Sequence, residues 1–442
     1  MMSLQLHWQI MIALALAAVV GIFSHGPEAI QFISKDTAIG GVTILSVFEF
    51  IGKIFLNALK MLIVPLIVSS IIVGVAGIGT AENLGRLGGR TLLFYAGTTL
   101  AAILVGLLLV NLVNPGVENG EPVKDKLALA EYADEAKGKV GEKGAGDVVE
   151  IFVRMVPPNI VKAAAEGQML GLIVFSLLFG FFMTHLPHEN AEPLYRFWDG
   201  VFKVMMSMTE FIMAWAPVGV FGLVAAVILK TGFDAGRSLL IFAITVVIAL
   251  AIHVLVTLPI LLKKLGKVNP WRFYRAISPA MLTSFSTASS SATLPITMDC
   301  IENNVGVSNK ISSFVLPLGA TVNMNGTALY ECMAAMFIAQ AFGIDLGFGT
   351  QFTIVVVALM TSIGVAGIPS ASLVAIAVIL VAVGLPIEAV GVLFVFDRVL
   401  DMLRTSVNVI GDATCATIIA ALENEPLFDE REAFQEPQVA KT

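Results

Sequence analysis

Charge is scarce in this sequence. Of 442 residues only 13% are Asp, Glu, Lys or Arg, against about a quarter in an ordinary soluble domain. With a mean hydropathy of +0.89, that excludes the soluble class. Cysteine is nearly absent as well: Cys300, Cys332 and Cys415 lie in apolar or small-residue settings with no CxxC spacing, so neither a metal framework nor a redox pair is encoded. The formal charge of -7 comes with no basic block and no aromatic-basic motif, and no nucleic-acid partner is expected. The five histidines, His7, His25, His185, His188 and His253, read as scattered through loops and span ends. There is no HExxH, no histidine-paired serine, and 409 VIGD 412 lacks the first glycine of GxGD. An intramembrane hydrolase would need such a base or aspartate pair. A passive channel would want a repeated ring of carbonyls or charges, also missing. The first residues lack the positive n-region of a secretory signal, so the apolar run that follows them is expected to be a retained span.

What is present is length in apolar runs. About 20 residues of helix cross a hydrocarbon core of about 30 Å, whereas a membrane barrel would show short alternating strands. Hydropathy places spans near 7–25, 44–78 (expected to be tilted or broken), 90–113, 151–186, 198–230 and 237–262. The polar insertion 114–150, with alternating charges and the single aromatic Tyr132, reads as a solvated external loop. Loop 79–90 carries Arg86 and Arg90, and loop 263–275 carries Lys263, Lys264, Lys267, Arg272 and Arg275 without an acid. The positive-inside rule puts both in the cytoplasm, with the insertion outside and both termini inside.

Beyond residue 275 the pattern changes. The hydroxyl-rich 283 TSFSTASSSATLPIT 297 and the glycine-rich 361 TSIGVAGIPSAS 372 interrupt two apolar segments, and each precedes a span with polar groups, 323 NMNGT 327 and 404 RTSVNVIGD 412. Two interrupted hairpins, each followed by a polar helix, form the pattern of an inverted-repeat transporter with its site near the midplane. Irregular backbone survives at that depth only against protein or a water-filled cavity. In 396 FDRVLDMLRTSVNVIGD 412, Asp397, Asp401, Arg404, Asn408 and Asp412 recur at intervals of three and four, one stripe of a helix. Each charge costs about 2.5 to 3.5 kcal/mol at mid-membrane on insertion scales, so the stripe must face a shared interior. Arg404 suits a carboxylate bidentately and Asp401 an ammonium, a pair that reads an acidic amino acid. The alternative is a packing network of Asp397, Asp401 and Asp412 against Arg398 and Arg404. Asp412, Asn408 and the carbonyls of 319 GATVN 323 are hard oxygen ligands suited to Na⁺.

SSSATLP, NMNGTALYE, GIPSA and LRTSVNVIGD together resemble the dicarboxylate/amino acid:cation symporters, a family that includes archaeal sodium-aspartate transporters and animal excitatory amino acid transporters; the likeness runs from about residue 45 to 422. It implies an all-α polytopic membrane protein with eight transmembrane helices, two re-entrant helical hairpins, inverted repeats and elevator-type transport by a homotrimer among membrane lipid. Residues 1–89 and 114–232 would be the scaffold and trimerisation helices. Residues 90–113 and 236–422 would be the transport domain, with hairpin 1 at about 271–304, helix 7 at about 309–341, hairpin 2 at about 347–386 and helix 8 at about 388–422; 423–442 would be a cytoplasmic tail. The chain would sit in the plasma or inner membrane.

The resemblance also implies residue roles. Arg404 would hold the side-chain carboxylate of the substrate and Asp401 its amino group. Asn408, Thr405, Thr327, Ser289 and Ser290 would surround the rest, with Ile368 at the gating tip of hairpin 2. One sodium would sit at Asp412, Asn408 and the carbonyls of Gly319 and Asn323. A second would use Thr321 and the carbonyls of Ser362, Ile363 and Val365, and a third Tyr95, Thr98, Thr99 and Asn323. Three departures stand out. Asn325 occupies a position that is usually Asp, which puts the third sodium in question. Ala288 replaces an arginine of many microbial members, and Arg398 either stands in for it or reaches toward an interface, with Asp397 beside it as supporting charge. Glu331 matches the proton-carrying position of the animal transporters, and is expected to carry a proton here unless it is a static hydrogen-bonded acid. A sodium-coupled neutral amino acid carrier or a C4-dicarboxylate carrier of the same fold stays open; Arg404 counts against the first and Asp401 against the second.

Overall fold

The computed structural model describes residues 6–25, 37–39, 42–79, 88–127, 129, 153, 155–166, 168–232, 235–344, 346–362 and 371–428. Expectations for Ile363, Val365, Ile368 and the chain after 428 fall outside them. The chain is a multi-pass helical membrane protein. Its first described elements are α1 (Leu6–His25), a two-residue ladder of β1 (Ala38–Ile39) on β2 (Val42–Thr43), α2 (Ile44–Gly79) and α3 (Gly89–Val113). Rather than breaking, α2 runs through Pro65 for 36 residues, about 54 Å of helix.

The described start of the insertion, residues 114–127 and 129, is less solvated than its charge suggests, and the expectation for 130–150 falls outside the described residues. Asn119 and Gly120 both have positive φ, 54° and 85°, the pair that a tight antiparallel hairpin favours, and they turn β3 (Val117–Glu118) onto β4 (Glu121–Pro122). Val123, Leu127 and Leu129 are then buried in the main core, and Gly116 donates its N–H to Gln340 at 3.3 Å.

α4 (Ile160–Ala165) and α5 (Met169–Met183) divide the expected span 151–186. Asn159 caps α4 by accepting from the N–H of Lys162 at 3.0 Å. The expected span 198–230 is also divided: α6 (His188–Ala214) and α7 (Ala216–Thr231) meet at 56°, because Pro217 opens α7 and cannot continue the preceding ladder. Next come α8 (Ala235–Ile252), a π-helical turn His253–Thr257 and α9 (Leu258–Lys264), one run of helix in the membrane. The placement of His253 in a loop or span end is corrected here: it is fully buried inside that run.

α10 (Pro270–Ala276), α11 (Ser278–Thr287) and α12 (Ser290–Asp299) follow, with α11 packed on α12 across Ala288 and Ser289, and a π-helical segment Cys300–Val305 closes the set. α13 (Asn309–Val322) and α14 (Asn325–Ala341) are halves of one helix broken at Asn323 and Met324. α15 (Phe348–Thr361) packs on α16 (Ala371–Val383), and a 3-10 turn Ile387–Leu393 leads into α17 (Phe394–Leu422). Helix 8 was expected from about 388; its first two turns are this tighter helix.

Two packing groups emerge. α1, α2, α5, α6 and α7 pack mainly on one another, while α3, α8 and α11 to α17 form the other set, with α14 and α17 at its centre. Every residue of α14 except Gln340 is buried, so an all-round apolar helix is possible there only because other helices enclose it. Beyond α17, Glu423 pairs with Arg90 at 2.6 Å. Glu425 accepts the N–H of Ser308 at 2.9 Å, and Phe428 donates its N–H to Val305 while its ring lies 4.7 Å from the Arg272 guanidinium.

Candidate functional site

The polar stripe of α17 faces the buried centre of the second group. Arg404 is fully buried. Its Nη1 and Nη2 each donate to Asp397 Oδ1 at 3.1 Å, and Nη2 also donates to Asp401 Oδ1 at 2.9 Å. Its carbon centre stands 3.9 Å over the Tyr330 ring, a cation-π contact that strengthens when water is excluded. Arg398, also buried, reaches Asp401 Oδ2 at 3.5 Å. The four side chains therefore sum to zero charge, which lets them persist in a low-dielectric interior. Arg398 thus lies inside this network. The Nε atoms of Arg404 and Arg398 have no hydrogen-bond partner among the described residues, so donor capacity remains beside the network.

One turn on, Asn408 closes the helix break. Its Oδ1 accepts the N–H of Gly326 at 2.8 Å and of Thr327 at 3.4 Å, and its Nδ2 donates to Thr327 Oγ1 at 3.0 Å. These are the first backbone donors of α14, which a helix cannot satisfy itself. Thr405 and Ser290 are buried nearby in the stripe helix and at the start of α12, and α12 packs on α17. Ser289 caps α12, its Oγ accepting from the N–H of Ala292 at 3.2 Å. Ala288 before it sits in the left-handed region, φ 50°, an uncommon place for a side chain that is not glycine.

A further turn along, Asp412 lies apart from the arginines. Its Oδ1 accepts from Asn323 Nδ2 at 2.8 Å, and among the described residues no salt bridge involves it. Asp412 is thus not part of the packing network that formed the alternative reading of the stripe. Around it gather Tyr95, which donates its hydroxyl to the Val315 carbonyl at 2.8 Å, and Thr99, which donates to Asn325 Oδ1 at 2.8 Å and lies 3.4 Å from Asn323 Oδ1. Gly319 admits this crowding: a β-carbon there would stand 2.5 Å from both Asp412 Oδ1 and the Tyr95 hydroxyl. Its carbonyl accepts the N–H of Asn323 at 2.9 Å. Thr98 is buried on the same helix and donates to the Phe94 carbonyl. Thr321 donates to the Leu318 carbonyl at 2.9 Å from a more exposed position, and Ser362 donates to the Leu359 carbonyl at 2.7 Å. No three His, Cys, Asp or Glu side chains gather among the described residues. The oxygens around Asp412 are those a hard cation takes.

Glu331 is fully buried in α14; its Oε2 accepts from Thr361 Oγ1 at 3.0 Å and its Oε1 has no hydrogen-bond partner among the described residues. Two side chains of the site escaped the sequence reading. Tyr330 was visible only as part of NMNGTALYE. His253 was signalled by a lone histidine in an otherwise apolar span; its Nε2 stands 3.5 Å from Asn325 Nδ2.

A broken pair of buried helices, a neutral network of four charges and a separate carboxylate among hard oxygens define a membrane protein with an internal polar site of the transporter kind. The chain matches the sodium:dicarboxylate symporter family over residues 6–422. It is 35% identical to the proton/sodium-glutamate symport protein of Geobacillus stearothermophilus, with 96% of each chain covered. It is 34% identical to the proton/glutamate-aspartate symporter of Escherichia coli K12, over 97% of this chain and 95% of that one. Excitatory amino acid transporter 1 of Ambystoma tigrinum is 34% identical, over 87% and 78%. The chain belongs to the sodium:dicarboxylate symporter family, a family of symporters.

Proposed function

We propose that this chain is a secondary active symporter that couples inward sodium movement, and proton movement through Glu331, to uptake of aspartate or glutamate. The relatives named for proton/sodium-glutamate and proton/glutamate-aspartate symport support the substrate class and both ions. The observation that carries the reading is Asp412: a buried carboxylate with an amide as its hydrogen-bond partner, set among oxygens and apart from both buried arginines. A buried charge left without a counterion is strongly unfavourable, so sodium supplies what the protein withholds. Arg404 takes the side-chain carboxylate of the substrate, Asp401 the ammonium, and Asn408 with Thr327, Thr405, Ser289 and Ser290 the remainder. Ile368 gates. Sodium is held by Asp412, Asn408 and the Gly319 and Asn323 carbonyls, with further ions at Thr321, Ser362, Ile363 and Val365 and at Tyr95, Thr98, Thr99, Asn323 and Asn325.

The division is into a scaffold, 1–89 and 114–232, and a moving transport unit, 90–113 and 236–422; the two packing groups support it for α1, α2 and α5 to α7 against α3, α8 and α11 to α17, while Gly116 reaches across to Gln340 of α14. They work as an elevator within a homotrimer in the plasma or inner membrane, with both termini cytoplasmic. Calorimetry of aspartate, glutamate, alanine and succinate at several sodium concentrations tests this: linkage requires acidic amino acid affinity to rise with sodium. Binding that ignores sodium, or favours alanine or succinate, overturns it. For the proton, uptake into liposomes is expected to depend on pH, and Glu331→Gln to flatten that dependence; an unchanged profile removes Glu331 from the role.

A further inference from the structure

His253 has no place in the mechanism above, yet it is fully buried against it. It opens the π-helical turn His253–Thr257; such turns inside α-helices are frequent at functional sites. Its Nε2 stands 3.5 Å from Asn325 Nδ2, while its Nδ1 has no hydrogen-bond partner among the described residues. Asn325 Oδ1 meanwhile accepts from Thr99 Oγ1 at 2.8 Å. Gly411 leaves room for this amide, since a β-carbon there would lie 2.8 Å from Asn325 Nδ2.

A primary amide has one end that can coordinate a cation and one that repels it. The Thr99 hydroxyl cannot choose between them, because a hydroxyl donates or accepts as its neighbour demands. Neutral imidazole does so in one of its two tautomers: with the proton on Nδ1, Nε2 is an acceptor only and faces an N–H. We infer that His253 is a positioning residue that fixes the Asn325 amide so that its carbonyl oxygen, beside Thr99 and Asn323, faces the coupling sodium. This rests on the proposed sodium coupling. It gives a neutral side chain at 325 the orientation that a carboxylate, with two equivalent oxygens, would not need.

The test uses purified full-length protein, with two readouts: the sodium concentration that half-saturates the rise in thermal midpoint, without substrate, and the same quantity from calorimetric aspartate binding. His253→Ala, and His253→Phe, which keeps volume but has no acceptor, are expected to raise it about fivefold, the weight of one neutral hydrogen bond, with aspartate affinity at saturating sodium unchanged. His253→Gln, which retains an acceptor, restores most of the loss. In an Asn325→Asp background the same histidine changes are expected to have no effect, because the carboxylate has no wrong orientation. Equal effects in both backgrounds, or none in the parent, overturn the inference while leaving sodium coupling intact. A parent protein whose midpoint and binding ignore sodium overturns the coupling itself, and the inference with it.

Discussion

Replacing Gly319 with alanine puts a methyl group where the structure has no room for one. The nearest atoms to that β-carbon are Asp412 Oδ1 and the Tyr95 hydroxyl, both at 2.5 Å, where ordinary contact begins at 3.4 Å. One or both oxygens must therefore yield by about 0.9 Å, several times the roughly 0.2 Å within which ligand distances of a metal site are held. The Asp412 carboxylate cannot retreat without straining its bond from Asn323 Nδ2. Sodium half-saturation of aspartate binding is expected to rise at least tenfold, which corresponds to about 1.4 kcal/mol, while binding at saturating sodium changes little. Gly97→Ala is the control: it lies on α3 two residues from Tyr95, and its β-carbon would meet nothing within 4 Å. Calorimetry over a sodium series on both proteins, each first shown to be monodisperse, decides the matter. A Gly319→Ala protein with sodium dependence within twofold of the parent would refute the assignment of a cation to this cluster.

Two further outcomes follow from the same geometry. Arg404→Ala leaves Asp397 and Asp401 facing each other with Arg398 alone, and breaking such a buried pair costs about 3 to 5 kcal/mol; adding Asp397→Asn is expected to recover part of the thermal midpoint and none of the acidic amino acid binding, whereas full recovery of binding would displace Arg404 from the substrate. Glu425→Ala removes the bonds to the backbone and hydroxyl of Ser308, worth about 1 to 3 kcal/mol, and thermal unfolding should show a lower midpoint with sodium half-saturation unchanged; an unaltered midpoint would mean the segment beyond α17 is not bound to the helices it touches.

The sequence already contained the stripe of α17, because five polar residues at helical intervals in an apolar run admit few other arrangements. The break at Asn323 and Met324 was legible for a similar reason, as Asn-Met-Asn-Gly interrupts two apolar halves. Partner choice was not legible. Spacing puts Asp397, Asp401 and Arg404 on one face, but it does not say that both carboxylates turn to the same guanidinium while Asp412 turns to Asn323. That depends on side-chain rotamers and on Tyr330 lying under Arg404. His253 was misread because a single histidine has no periodicity; only the packing of α8 on α3 and α14 brings it to Asn325. The division at 198–230 was hidden because hydropathy sums composition over a window and does not register a change of helix direction.

If Arg404 holds the substrate as proposed, the closed network of Arg398, Asp397, Asp401 and Arg404 competes with it. The Arg404 guanidinium already donates to two carboxylates, so a substrate carboxylate bound there would displace an internal rival and not water. A neutral amino acid brings no carboxylate for that exchange and would have to break ion pairs without replacing them. Discrimination would then reside as much in what Asp397 withholds as in what Arg404 offers, and neutralising the rival, as in Asp397→Asn, should loosen selectivity before it loosens affinity.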